Sequence, residues 1–258
     1  MRKGETDEVR KMFQDMGITL QVVDASDRFF SNLEGVTDPE EKRKVIGEQF
    51  IRVFEEEQDK CGAKFLVQGT IAPDWIESGG GQRDVIKSHH NVGGLPEDVD
   101  LVIVEPLREF YKDEVRQIAR QLGIRSSERQ PFPGPGLAVR VLGKLTRSRV
   151  EACREACHIV ETRLREASEK GLCDLPWQYF ATLLPVRSVG VHGDARVHGE
   201  TVVVRAVKSL DGMSARYSEI PHEVLALIST EITNSLKGQV NRVVYDITHK
   251  PPGTIEWE

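Results

Sequence analysis

Apolar positions recur at helical spacing at the start of the chain. Val9, Met12, Phe13 and Met16 fall on one face among charged residues, which predicts an amphipathic helix over 5–16, stopped by Gly17. The run Ile18 to Val23 is short, apolar and β-branched, and predicts a strand. Asp38-Pro-Glu-Glu predicts the start of a long helix reaching Lys60, because proline suits the first helical position and early carboxylates suit the positive end of the helix dipole. Apolar runs at 64–68 and 101–104 predict two more strands, and 112–122 predicts a helix stopped by Gly123. Short apolar strands alternating with helices are the pattern of an α/β fold, a parallel sheet covered by helices. Ligands of such sheets sit beyond the carboxyl ends of strands, where Gly69-Thr70 falls.

The pattern changes at Pro131-Phe-Pro-Gly-Pro-Gly-Leu137, which can be neither helix interior nor central strand. Beyond it, 146–170 and 221–235 predict helices, and apolar runs at 179–186, 201–208 and 240–247 predict strands. That is a small α+β domain, an antiparallel sheet backed by helices. The chain therefore divides into 1–130 and 131–258. Its last nine residues, Lys250-Pro-Pro-Gly-Thr-Ile-Glu-Trp-Glu258, combine two prolines with a cation, a hydroxyl and two carboxylates. Following an apolar run, this tail is expected to be held on the body of the protein. It is either a stiff charged grip on a polar ligand or a docked end without one, and spacing alone leaves both open.

Composition narrows the classes. The 258 residues are 39% hydrophobic and 29% charged with net charge −6, an ordinary globular balance that speaks against a general nucleic-acid or membrane-surface protein. No run of about 18 apolar residues predicts a membrane span. Met-Arg-Lys-Gly-Glu has no apolar signal region, so a cytoplasmic protein is expected. Cys61, Cys153, Cys157 and Cys173 form no CxxC pair and suggest reduced thiols rather than zinc ligands.

The polar stretch 72–104 gathers the densest chemistry: Asp74, Glu77, three glycines at 79–81, Arg83, Lys87, His89, His90 and Asn91. Loops this long are commonly lids or binding loops, and Lys87 with two histidines supplies phosphate-directed donors. Asp74 and Glu77 are three apart, so on one helical turn both carboxylates can face one Mg²⁺; a solvated polar loop is the plain alternative. Ser78-Gly-Gly-Gly is not a phosphate loop, because no apolar strand precedes it and no helix pattern follows. Gly134 and Gly136 offer main chain to a close ligand, or belong to a rigid linker. Arg196, in the turn Gly193-Asp-Ala-Arg196, can pair with phosphate or face water.

Four segments together resemble GMP synthetase: Gln68-Gly-Thr-Ile-Ala-Pro-Asp-Trp-Ile-Glu-Ser78, Ile86-Lys-Ser-His-His-Asn91, Gln130-Pro-Phe-Pro-Gly-Pro-Gly-Leu-Ala-Val-Arg140 and the terminal Lys-Pro-Pro-Gly-Thr-Ile-Glu-Trp-Glu. The resemblance extends over essentially the whole chain. It implies an adenine-nucleotide alpha-hydrolase-like parallel sheet, the ATP-pyrophosphatase domain, over 1–130 and a dimerisation domain over 131–258. It also implies the reaction: ATP adenylates O2 of XMP with release of pyrophosphate, and ammonia drawn from glutamine then displaces AMP to give GMP. By resemblance Asp74 and Glu77 hold Mg²⁺ at the ATP phosphates, Lys87 stabilises negative charge during adenylation, and His89 and His90 position nucleotide. Pro133, Gly134, Arg196, Lys250, Ile255 and Glu256 would bind XMP. The implied partners are a second copy of the chain and a glutamine amidotransferase, fused or separate.

The chain also departs from the family. The pyrophosphate loop Ser-Gly-Gly-x-Asp-Ser is not in the sequence, and 124–129 is a short link. The expectation is an incomplete sheet lacking its first strand, loop and helix, with apolar surface left uncovered and no adenylation by the chain alone. A non-catalytic module that binds XMP and dimerises is the competing expectation.

Overall fold

Glycine marks the end of the first helix. Glu5–Asp15 (α1) stops before Gly17, whose φ of 69° is left-handed and open to glycine at little cost. The computed structural model describes residues 1–73, 102–124, 130–210 and 212–258. Ser26–Asn32 (α2) follows, and Pro39–Cys61 (α3) begins at the predicted proline with Glu40 and Glu41 in its first turn. The strand expected over Ile18 to Val23 does not form. Ile18, Val22 and Val23 stay 44–46% exposed, and no neighbouring strand offers its main-chain groups among the described residues, without which an extended segment has no stability.

The described chain groups into two compact units, Met1–Lys42 with Gln130–Glu258, and Arg43–Arg129. The first 42 residues thus cluster with the second half rather than with 43–129, which differs from a division at 130/131.

In the unit 43–129, Phe65–Val67 (β1) and Val102–Val104 (β2) pair in parallel with Phe65 opposite Val102. Lys112–Gln121 (α4) starts where Glu114 accepts the Tyr111 N–H at 2.7 Å and ends at Gly123.

The other unit contains the main core. Gly136–Arg140 is a 3₁₀ turn, and Arg147–Glu169 (α5) is capped by the Thr146 hydroxyl, which accepts the Arg149 N–H. Gln178–His192 (β3) and Ala195–Lys208 (β4) form a long antiparallel hairpin, to which Arg216–Tyr217 (β5) adds on β4. His222–Ser235 (α6) then returns the chain so that Val240–Tyr245 (β6) pairs with β4 in parallel. The sheet is therefore mixed, not purely antiparallel: a parallel neighbour needs a crossover, and α6 supplies it. Helix α5 packs on β3, and α6 packs on α5 and β6. Val141, Val160, Leu164, Phe180, Leu183, Val202, Ile228 and Ile232 lie between them without solvent exposure.

Pro185 ends this core along β3. It cannot donate to the ladder, and the register slips between Leu184 and Arg187. Beyond the bulge the hairpin continues as an arm whose Val189 and Val191 are exposed. Asn241 staples its base, donating to Ser188 O at 2.6 Å and filling the space where a Cβ on Gly190 or Gly199 would stand.

Candidate functional site

Three cations, Lys42, Arg140 and Arg205, are fully buried among the described residues. A charge out of water requires a partner, and all three find theirs in the last thirteen residues. Arg205, near the end of β4, donates to Thr248 O at 2.5 Å and Thr254 O at 2.9 Å and faces the Asp246 carboxylate at 3.2 Å. Arg140, at the end of the 3₁₀ turn, forks onto Glu256: Nε to Oε2 at 3.0 Å and Nη2 to Oε1 at 2.7 Å. Gln178 at the start of β3 adds a third bond, to Glu256 Oε1 at 2.7 Å. Lys42, on the first turn of α3, donates to Val141 O at 2.9 Å and to Glu258 Oε2. The Gly143 N–H donates to Glu258 Oε1 at 3.1 Å, and Trp257 Nε1 to Asp246 Oδ2 at 3.1 Å. The tail is thus docked along its length, as its composition led one to expect.

Burial alone would push the Arg140 guanidinium down, but the Glu256 carboxylate outweighs it and the net shift is upward. The cation is permanent, so Glu256 is held against a fixed positive charge. Burial pushes the nearby Glu161 up from the ordinary carboxylate range, against the pull of Arg2 at 3.4 Å and Arg165 at 3.7 Å.

Of the residues singled out in the sequence, Glu256 and the Pro-Gly segment meet at Arg140, and Lys250 lies at a cleft lined by other residues. Lys250 pairs its main chain with Ala215, and its Nζ donates to Gly212 O at 2.8 Å. It borders an open cleft of about 770 Å³ that Lys208, Arg216, Tyr217 and His249 also line. The Tyr217 and His249 rings stack there at 5.3 Å. Ile255 is half-buried in the tail beside Glu256. Pro133 and Gly134 form a turn closed by Gly136 N–H donating to Pro133 O at 2.9 Å, with Gly134 exposed. Their neighbour Phe132 lies under the Arg140 guanidinium at 4.9 Å, so one cation contacts the Pro-Gly segment and the tail together.

Arg196 stands apart. It is exposed near the tip of the β3–β4 arm, and among the described residues no hydrogen bond or ion pair joins it to the tail. Asp74, Glu77, Lys87, His89 and His90 lie outside the described residues. All four cysteines are free thiols, with Cys153 and Cys157 buried in α5, and no cluster of metal ligands occurs among the described residues. No helix among them is long and apolar enough to cross a membrane.

Sequence reasoning missed Arg140, Arg205, Lys42 and Gln178. A signal for two of them was present: Ala-Val-Arg140-Val-Leu and Val-Val-Val-Arg205-Ala-Val each place one cation in an apolar run, and a charge there must be paired.

A family model described as GMP synthase C terminal domain matches residues 165–257. The chain is 54% identical over 258 residues to a subunit of glutamine-hydrolyzing GMP synthase from Thermoplasma acidophilum, covering all of this chain and 82% of that protein. The same-named protein of Thermococcus kodakarensis is 58% identical over 261 residues, with 82% of it covered. That of Halobacterium salinarum is 59% identical over 261 residues, with 81% covered.

Proposed function

The chain belongs to this family of glutamine-hydrolyzing GMP synthase subunits, and from that membership we propose that it is the synthetase part of the ligase, converting XMP to GMP with ATP and ammonia. Oxygen O2 of XMP attacks the α-phosphorus of ATP and pyrophosphate leaves. Ammonia then adds at C2, and AMP departs with the former O2. The relatives are named as one subunit of a glutamine-hydrolyzing enzyme, which supports a separate glutamine amidotransferase partner as the ammonia source. Self-association of 131–258 and a soluble, cytoplasmic setting belong to the same reading.

Residues 1–130 are the ATP-pyrophosphatase domain in this reading, and the parallel β1–β2 pair agrees with a nucleotide-binding parallel sheet. Lys87 stabilises negative charge as adenylation proceeds, His89 and His90 position nucleotide, and the carboxylates of Asp74 and Glu77 are the hard oxygen donors that Mg²⁺ takes. When bound, that ion neutralises charge on the leaving pyrophosphate.

Pro133, Gly134, Lys250, Ile255 and Glu256 bind XMP, and Arg196, which stands apart from the tail, is assigned to its phosphate on the likeness to the family alone. The observation that carries this reading is the docked tail. Three fully buried cations hold the tail in one place, and a polar site needs groups fixed in that way. Lys250 supplies positive charge beside an open cleft, and Glu256 supplies an oriented acceptor.

Titration calorimetry with XMP and with AMP tests it. Saturable XMP binding is expected, weakened about tenfold or more in Lys250→Ala, with AMP binding far weaker. Equal affinity for both nucleotides, or no effect of Lys250→Ala, contradicts the assignment.

A further inference from the structure

We propose that Arg140 is a positioning residue that couples the Pro-Gly segment to the tail and presents Glu256 as a fixed acceptor to bound XMP; this rests on the XMP reading above. Arg140 does not touch nucleotide itself, being fully buried.

Three observations carry the inference. The Arg140 guanidinium carbon lies 4.1 Å from the centre of the Phe180 ring and 4.9 Å from that of Phe132, so the cation contacts β3 and the Pro-Gly segment at once. Its fork meets both Glu256 oxygens. A planar bidentate donor fixes a carboxylate in position and in rotation, which one ammonium point charge cannot do.

The third observation is a count of acceptor sites. A carboxylate offers about four lone-pair directions. Glu256 Oε1 receives two bonds, from Arg140 Nη2 and Gln178 Nε2, and Oε2 receives one, from Arg140 Nε. One direction on Oε2 is left, and the Glu256 side chain is 19% exposed. The carboxylate is therefore anchored by three protein bonds, with one acceptor direction on Oε2 that the protein does not fill. A purine N–H or a ribose hydroxyl of XMP is the matching donor.

The coupling follows from the buried charge. Undocking Glu256 would leave the guanidinium unpaired inside the core, so the tail and the ring contacts hold or yield together. The Lys42–Glu258 pair clamps the tail two residues further on and restricts how far Glu256 can drift.

The test uses the full chain: wild type, Arg140→Lys, Glu256→Gln and the double variant, with circular dichroism to confirm folding. Calorimetric XMP affinity is expected to fall about tenfold in each single variant. The double variant should lose no more than the worse single, because Arg140 acts through Glu256. The second readout is amide exchange at Gly136, whose N–H is bonded to Pro133 O. It should accelerate in Glu256→Gln, since a change in the tail is felt across the guanidinium, and a merely local role for Glu256 would leave it unmoved. Wild-type affinity in Arg140→Lys, multiplied losses in the double variant, or unchanged Gly136 exchange in Glu256→Gln each overturn the proposal. If Arg140→Lys does not fold, the Gly136 exchange in Glu256→Gln decides alone. If the wild type binds no XMP, the XMP reading fails, and the exchange arm still decides the coupling.

Discussion

The two compact units bury their apolar residues very differently. Around β3, β4 and β6, two helices cover the sheet, and residues such as Phe180, Val202 and Ile228 see no solvent. In 43–129 the apolar strands are short and open: Phe65 is 63%, Val67 67% and Val102 58% exposed. Apolar strands become core only where another layer closes over them. The C-terminal elements provide that layer within their own sequence, whereas the described part of 43–129 leaves β1 and β2 accessible to other apolar surface.

Substitutions in the two units put this contrast at risk. Phe180→Ala should cost about 3–5 kcal/mol in denaturant unfolding, by deleting a fully buried ring, while Phe65→Ala should stay within about 0.5 kcal/mol. Equal losses would remove the distinction between them. Next in size, Glu256→Gln should cost about 3 kcal/mol, because it leaves the Arg140 charge buried without its counter-charge. Loss of less than about 1 kcal/mol in the same unfolding measurement would mean that the tail is not a structural part of this unit.

Gly190→Ala should cost about 1–3 kcal/mol, since its Cβ would stand 2.8 Å from Asn241 Nδ2. Val191→Ala, on the exposed face of the same arm, should be nearly neutral.

The smallest effect is a pH dependence. Burial raises the Glu161 pKa in the folded state, so above the ordinary range of about 4.3 the folded protein binds the proton more tightly than the unfolded chain does. Its contribution is thus most favourable below that range and is lost as pH rises through the raised value. The slope of stability against pH in that window should become less negative in Glu161→Gln. An unchanged slope would show that Glu161 is not desolvated.

Much of the fold was legible because local signals agreed with the tertiary result. Pro39, Gly17 and Gly123 mark helix ends by their own conformational chemistry, and the β3 and β4 runs are apolar enough to demand a core. Ile18 to Val23 carried the same strand signal without a partner to pair with, and pairing is not a local property. The parallel placement of β6 followed from the α6 crossover, which the apolar run itself does not encode. At the candidate site, the tail's docked state was legible from its composition. Its anchors were not, because Arg140 and Glu256 are 116 residues apart and only the folded chain makes them neighbours.

If the docked tail, with Lys250 and Glu256, is an XMP site, a co-crystal structure of the chain with XMP will show it. Nucleotide density is expected within hydrogen-bond reach of the Lys250 ammonium and the open Glu256 Oε2, with the Arg140 fork intact. XMP bound elsewhere, or a tail displaced from Arg140 in the complex, would refute the site.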